Sequence, residues 1–335
     1  MRAGIAGYGL AGRVFHAPLL KGCGYEVTSI LTSNTERIAQ AKSDFPDAQI
    51  FSELDAFLDS GLDLVVIASS NVAHLPQTRA ALERQIPTVV DKPMGRTVAE
   101  VKEMIDLSAK QNTLLTTFFN RRWDSDSLTI KKLLMSGEIG QPFRFDGRFE
   151  RFRPERNLAS WRENLSPEDG GGLLLDLQSH LISTALDYFG PAQVVSASVR
   201  SIRGGADDDA TVVLRHESGV DSYLAASAVS GAPGPRVRLL GSKGALVINE
   251  LDPQEDALRA GEVPFGGAWA KPMASAATIH KGDEIIPVDS VSGNYAAFYT
   301  LVKAAIESGS AAPVSLGDAL RVAEIIEEAR AISVR

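Results

Sequence analysis

Gly7-Tyr8-Gly9-Leu10-Ala11-Gly12 follows Arg2–Ala6, a segment that reads as a strand, and opens a stretch with helical spacing. Three glycines at this spacing restrict what the chain can fold into. The first permits a tight turn, the second lets a ligand's phosphates approach the backbone, and the third allows close packing of helix on strand. The helix N-terminus behind them supplies amides and the positive end of a dipole. Glycines are common in turns, so the pattern takes its meaning from position, after an N-terminal strand and within a strand–helix–strand unit. Gly7, Tyr8, Gly9, Leu10, Ala11 and Gly12 are expected to hold a dinucleotide.

The first 120 or so residues continue the alternation. Strands are expected at Arg2–Ala6, Glu26–Leu31, Asp63–Ala68, Thr88–Val90 and Leu114–Phe118, with a short one at Ile50-Phe51 before a helix at Glu53–Leu58. Helical spacing marks Thr35–Asp44, Ala73–Arg84 and Val98–Lys110, and Thr97 with Glu100 forms a capping box for the last. This is the pattern of a parallel sheet covered on both faces. It then changes. Phe143 to Phe152 alternates as a strand with one buried face, and a helix is expected from the glycine run Gly170-Gly171-Gly172 to about Phe189. Strand-like segments follow at Val194–Arg203, Ala210–His216, Val220–Val229, Arg236–Leu240 and Ala245–Asn249, with hairpin turns at Glu217-Ser218-Gly219 and Ser242-Lys243-Gly244. Leu251–Ser275 reads as a long surface loop, and helices near Tyr295–Glu307 and Leu316–Ile332 close the chain. Two domains are expected, residues 1–120 for the dinucleotide and 121–335 for substrate binding on an open antiparallel sheet.

The formal charge of −8 argues against non-specific nucleic-acid binding, which needs clustered positive charge. The single cysteine, Cys23, excludes a disulfide framework and reads as a small buried or half-buried residue. No apolar run approaches the ~20 residues of a membrane span, and Arg2–Ala6 reads as a strand rather than a signal peptide, so a cytoplasmic location is expected.

The second strand bears on the choice of nicotinamide cofactor. Selectivity for NAD usually rests on Asp or Glu about 20 residues past the glycines. Here the place reads Leu31-Thr32-Ser33-Asn34-Thr35, with Arg37 just beyond and Glu36 in the next helix. Hydroxyls at Thr32 and Ser33, Asn34 and an arginine would accept a 2′-phosphate, so NADP(H) is preferred and NAD(H) is the alternative. Arg37 as a solvated helix residue stays open.

Two further strand ends face the expected crevice. Ser69-Ser70-Asn71-Val72-Ala73-His74 follows one of them. Asn71 contacts the nicotinamide or ribose edge, or caps the helix; His74 sits by or under the cofactor loop. Thr88-Val89-Val90-Asp91-Lys92-Pro93 ends another, placing Asp91 and Lys92 where an ammonium meets substrate and cofactor. Asp176 and His180 are four residues apart on one expected helix, hence on one face. The carboxylate would orient the imidazole and favour its protonated form, while the helix N-terminus opposes it. Their rival reading is an ordinary surface pair, disfavoured by the leucines around them. Asn120, Arg121, Arg122, Trp123, Arg153, Trp161 and Arg162 lie near the domain junction. Charged forks and flat apolar faces suit a sugar or polyol, and salt bridges with core tryptophans explain them as well. Of the other histidines, His216 and His280 are expected to be solvated and His16 to pack against its helix. No cluster has metal-ligand spacing, and no metal is expected.

Taken together, Gly7–Gly12 with Phe15-His16-Ala17-Pro18-Leu19, Asp91-Lys92-Pro93, and Asp176 with His180 resemble the glucose–fructose oxidoreductase/inositol dehydrogenase/MocA family over nearly the whole chain. Asn120-Arg121-Arg122-Trp123-Asp124-Ser125-Asp126 is similar to its NADP-dependent scyllo-inositol dehydrogenase subgroup. The family commonly has Glu where Asp91 stands and Pro where Ser70 stands. The resemblance implies an α/β Rossmann domain followed by an α+β domain with a large, mostly antiparallel open sheet. It implies homo-oligomers, dimer or tetramer, formed through that sheet. It also implies hydride transfer at a secondary alcohol of an inositol, sugar or related polyol. Lys92 and His180 would share the proton work in roles that can be exchanged, with Asp176 orienting His180 or binding a neighbouring hydroxyl. The rivals are a dehydrogenase of another carbonyl compound, such as a dihydrodiol or aldose, and a non-catalytic dinucleotide-binding sensor.

Overall fold

The computed structural model describes residues 1–333. Contacts divide it into two compact units. The first comprises Met1–Asn120, Gln254–Pro272 and Asn294–Leu320; the second comprises Arg121–Pro253, Met273–Gly293 and the chain from Arg321 onward. The first crossing between them falls after Asn120. The first unit also takes two later segments that the sequence reading left in the 121–335 domain, whose last two residues lie outside the described residues.

The first unit is built on a six-stranded sheet: β1 (Arg2–Ala6), β2 (Glu26–Leu31), β3 (Gln49–Phe51), β4 (Leu64–Ile67), β5 (Thr88–Asp91) and β6 (Leu115–Phe118), in the order β3-β2-β1-β4-β5-β6. Every pairing is parallel. The order reverses beside β1, the switch point at which doubly wound sheets open a ligand crevice. β4 is buried along its whole length, as apolar residues must be when both sheet faces are covered. Five helices intervene: α1 (Ala17–Gly22), α2 (Thr35–Asp44), α3 (Leu54–Leu58), α4 (Asn71–Glu83) and α5 (Val98–Gln111). Ala11–His16, ahead of α1, forms a wider π turn in which the Ala17 N–H reaches back to the Gly12 carbonyl. Pro18 has no N–H to continue ordinary helix bonding, which gives the widening a cause. Thr97 caps α5 by accepting the Glu100 N–H at 3.1 Å, whereas the Glu100 carboxylate reaches back to the Arg96 N–H at 2.7 Å. The reciprocal half of the box is shifted by one residue.

The second unit carries eight strands: β7 (Pro142–Glu150), β8 (Ala192–Arg200), β9 (Asp209–His216), β10 (Asp221–Ser227), β11 (Val237–Gly241), β12 (Gly244–Ile248), β13 (Ala277–Lys281) and β14 (Glu284–Val288). Their order is β14-β13-β12-β11-β7-β10-β9-β8, antiparallel except where β7 meets β10. Both hairpins read from the turns at 217–219 and 242–244 are present. Helices α6 (Ser125–Ser136), α7 (Trp161–Asn164), α8 (Leu173–Asp176) and α9 (Gln178–Phe189) belong to this unit. The single helix expected up to Phe189 is two pieces broken at Leu177. The Leu177 carbonyl accepts from both His180 and Leu181, and this sharing tightens the turn.

Leu251–Ser275 is not a plain surface loop. It contains α10 (Gln254–Arg259), and its polar side chains turn inward to satisfy backbone donors. Asp252 accepts the Ser125 N–H at 2.6 Å within the second unit, and Gln254 accepts from Tyr295 N and Trp269 Nε1 within the first. The chain ends through α11 (Ala296–Ser308) and α12 (Leu316–Ser333). His216 is also corrected, from solvated to buried. It continues the inward face of β9 set by Ala210, Val212 and Leu214, so the alternation outweighs the turn beside it. His280 is half-buried, with Nε2 3.0 Å from the Thr278 hydroxyl. Among the described residues no helix is long and apolar enough to cross a membrane.

Candidate functional site

The glycine turn leaves β1 at the switch point, and the Gly7 N–H donates to the Leu31 carbonyl across the sheet at 2.9 Å. Gly7 has φ +94°, and a Cβ there would stand 2.7 Å from the backbone of Ala68 and Ser69. A Cβ on Gly12 would fall 2.0 Å from the Gly7 carbonyl oxygen. Both positions therefore require glycine, and the close-approach geometry fits a pyrophosphate. Tyr8, within the turn, is buried and donates to Asp44 Oδ2 at 3.0 Å; Arg13 Nε donates to the same oxygen at 2.6 Å. Asp44 thus ties the turn to the end of α2, a contact not foreseen from the sequence. Leu10 is exposed and Ala11 half-buried.

At the end of β2, Thr32 is buried, while Ser33, Asn34 and Arg37 are exposed. The Asn34 carbonyl oxygen caps α2, accepting the Arg37 N–H at 3.0 Å. Arg37 itself lies beside the glycine turn, its guanidinium 3.6–3.7 Å from where a Cβ on Gly9 would be. This arginine follows Thr32-Ser33-Asn34-Thr35, a stretch with no carboxylate, and Glu36 stands beside it in the first turn of α2.

The loops after β4 and β5 are held by buried imidazoles. Ser69 and Ser70 precede α4, whose first residue, Asn71, is 8% exposed. Ser69 Oγ donates to Gln77 at 2.7 Å. His74, on α4, is 1% exposed; its Nδ1 lies 2.9 Å from the Pro93 carbonyl and its Nε2 3.3 Å from the Ser69 carbonyl. It lies beneath both loops and reaches them through backbone carbonyls. Burial pulls its pKa down.

Lys92 leaves the C-terminal end of β5, and the Lys92–Pro93 peptide is cis. The Lys92 N–H donates to Asp91 Oδ1 at 2.8 Å, and the same oxygen is 3.7 Å from His16 Nε2. The other His16 nitrogen lies 2.6 Å from the Tyr299 hydroxyl. His16 and Tyr299 are fully buried and stack with Phe118. Burial opposes ionisation of Asp91, but the His16 contact and the Lys92 charge outweigh it and hold the carboxyl below its usual range. His16 does pack, as the sequence implies, and it also bears on Asp91.

In the second unit, Asp176 ends α8 and His180 is the third residue of α9, so they flank the break at Leu177 rather than share an unbroken helix. His180 is 8% exposed, which removes the surface-pair reading. Gln178, fully buried, aims this helix start by donating to the Ala210 and Leu224 carbonyls at 2.7 and 3.0 Å. Asp207 accepts the Leu174 N–H at 2.7 Å at the start of α8. Arg162 connects two of the expected substrate residues: its guanidinium carbon is 4.4 Å from the Trp161 ring centre, and its Nε is 3.5 Å from Asp176 Oδ1.

Phe149, on β7, lies 6.2 Å from the His180 ring, centre to centre, and carries Arg236 at 3.9 Å and Arg121 at 5.6 Å. Arg121 and Asn120 are buried and Trp123 half-buried in the turn Asn120–Trp123. Arg122 is committed elsewhere, donating to Ser183 at 2.9 Å and pairing with Asp187 at 3.5 Å. Arg153 is exposed; its carbonyl accepts from Arg203. Among the described residues no group of acidic, histidine or cysteine side chains could hold a metal ion.

Residues 1–119 match the oxidoreductase family with an NAD-binding Rossmann fold, and residues 127–247 match the GFO/IDH/MocA C-terminal domain. The chain belongs to the GFO/IDH/MocA family. It is 34% identical to scyllo-inositol 2-dehydrogenase (NADP(+)) of Bacillus subtilis, over 98% of this chain and 92% of that protein. A solved structure from Bacillus subtilis superposes with a TM-score of 0.88 at 32% identity, covering 100% of this chain and 98% of its own. One from Yersinia pestis gives 0.89 at 32%, covering 100% and 95%.

Sequence reasoning missed several supports of the candidate residues, Asp44 behind Tyr8 and Tyr299 behind His16 in the first unit, and Gln178 before His180 and Arg236 on Phe149 in the second. Each contact joins residues far apart in the chain, for which local spacing carries no signal. Gln178, two residues from His180 in a leucine-rich run, is the exception. A lone amide in an apolar stretch points to a buried hydrogen-bonding duty.

Proposed function

We propose that the protein is an NADP(H)-preferring dehydrogenase or reductase acting at a secondary alcohol or ketone of an inositol, sugar or related polyol. The observation that carries the cofactor choice is Arg37 beside Gly9, with no carboxylate in Thr32–Thr35 at the end of β2. The substrate class is supported by the 34% identity to a scyllo-inositol 2-dehydrogenase (NADP(+)). When bound, the nicotinamide supplies the hydride acceptor or donor.

The chain's own groups supply the rest. Gly7 and Gly12 admit the pyrophosphate to the backbone. Lys92 polarises the substrate oxygen and stabilises its negative charge, while His180 removes or returns the hydroxyl proton. Asp176 orients His180 or takes a neighbouring hydroxyl. Arg121, with its guanidinium near Phe149, and Trp161 under Arg162 offer donors and a flat apolar face to a polyhydroxylated ring. Homo-oligomerisation through the eight-stranded sheet belongs to the same proposal, and a monomer by light scattering would reject that part.

The test is NADPH and NADH fluorescence titration, followed by absorbance at the nicotinamide band with a panel of polyols and their ketones. Tighter NADPH binding and turnover of a cyclic polyol are expected. Tighter NADH binding overturns the cofactor choice. Dinucleotide binding with turnover only on a dihydrodiol, or only at the aldehyde carbon of an aldose, overturns the substrate class.

A further inference from the structure

His74 is buried, yet both of its ring nitrogens face backbone carbonyls, one in each of two different loops. A purely space-filling ring has no need of such placement. A neutral imidazole has one N–H and can donate to one carbonyl only. The shorter contact, 2.9 Å to Pro93, takes the hydrogen on Nδ1, which leaves Nε2, 3.3 Å from the Ser69 carbonyl, with no hydrogen to donate. Pro93 directly follows Lys92. On the other side of Lys92, Asp91 accepts the Lys92 N–H and stands 3.7 Å from His16. The backbone from which the lysine projects is therefore gripped before and after. His74 itself sits in the first turn of α4, the helix that begins at Asn71.

We propose that His74 is a positioning residue that sets the start of α4, at Asn71, and the Lys92-Pro93 loop in register by donating from Nδ1 to the Pro93 carbonyl. This rests on the reading of Lys92 as the group that polarises substrate. A reacting group misplaced by ~1 Å can cost ~10² in rate, so a staple one residue away from Lys92 bears on turnover without touching substrate.

Three variants test this contact. His74→Asn keeps a donor near the Nδ1 position, His74→Gln places its amide near Nε2 instead, and His74→Phe keeps a ring with neither. Backbone amide exchange would be followed by mass spectrometry over residues 69–73 and 91–96, together with the NADPH dissociation constant, kcat and thermal midpoint. Phe and Gln are expected to speed exchange in 91–96 and Asn to restore it, while exchange in 69–73 and NADPH affinity change little. Turnover should follow exchange in 91–96, falling ~10²-fold in Phe and Gln and only a few-fold in Asn. Equal changes in all three variants that track the thermal midpoint would overturn the proposal and leave His74 a packing residue. The exchange readout needs no substrate. Exchange restored by Asn alone, with no turnover by the parent on any alcohol, would reject the role of Lys92 while the staple stands, and exchange in 91–96 that Asn does not restore rejects the staple whatever the turnover.

Discussion

Arg37 lies over Gly9, its guanidinium carbon 3.6 Å from the point where a β-carbon would be. The glycine that opens the backbone to a pyrophosphate thus also leaves room for the arginine proposed to read the 2′-phosphate. A charge-assisted contact of this kind contributes about 1.5–3 kcal/mol. Arg37→Ala should therefore weaken NADPH binding ~10- to 100-fold and leave NADH nearly unchanged, as read by fluorescence titration. Equal losses for both cofactors would move the selector elsewhere.

Ser33 is exposed beside the same region. Ser33→Asp should shift preference toward NADH, because the new carboxylate repels the 2′-phosphate and accepts from the ribose hydroxyls. An unchanged ratio of the two dissociation constants would show that Ser33 is not part of the selector.

Lys92→Met removes the charge and all three donors, and His180→Asn cannot shuttle a proton near neutral pH. Each should lower turnover ~10²–10⁴-fold while NADPH still binds. The double variant should be far less than multiplicatively worse if the two act as one proton-transfer unit. Near-full turnover by either single variant would remove that residue from the chemistry.

Gln178→Leu strips the Ala210 and Leu224 carbonyls of a buried donor. Leaving buried acceptors unsatisfied costs about 1–3 kcal/mol each, so a loss of ~2–6 kcal/mol in chemical denaturation is expected. Turnover should fall in the fraction that remains folded, because this amide anchors the turn leading to His180. A variant as stable as the parent would mean that the carbonyls find other donors.

His216 is satisfied in its neutral form, donating from Nδ1 to the Gly190 carbonyl at 2.8 Å and accepting at Nε2 from Ser222 at 2.9 Å. Burial lowers its pKa. The unfolded chain takes up this proton near pH ~6.5 and the folded chain resists it, so the contribution is complete above that pH and is lost as pH falls through the folded pKa. The difference in thermal midpoint between parent and His216→Gln should shrink from pH 7.5 to pH 5. A constant difference would contradict the assignment.

The parallel half was legible because its signals are local. Val65-Val66-Ile67, buried on both faces, and Asn34 and Thr97 at helix starts declare themselves within a few residues. The β13–β14 hairpin was missed although Gly282-Asp283, a two-residue turn, separates its paired ends Lys281 and Glu284. The composition of the preceding stretch, rich in glycine and proline, drew the reading toward a loop. His216 was misjudged for a related reason: a neighbouring turn was weighed above a strand alternation that ran through it.

By itself the sequence determined the glycine turn, the order of strands and helices in the first unit, and the identity of the chemically capable groups, since backbone sterics and period depend on near neighbours. Tertiary structure alone decided which carbonyls His74 faces, that Arg37 rests beside Gly9, that Tyr299 backs His16, and that residues 254–272 and 294–320 return to the first unit. These contacts join residues up to 283 positions apart. No local pattern encodes them, because each forms only after the elements that carry its two partners have packed.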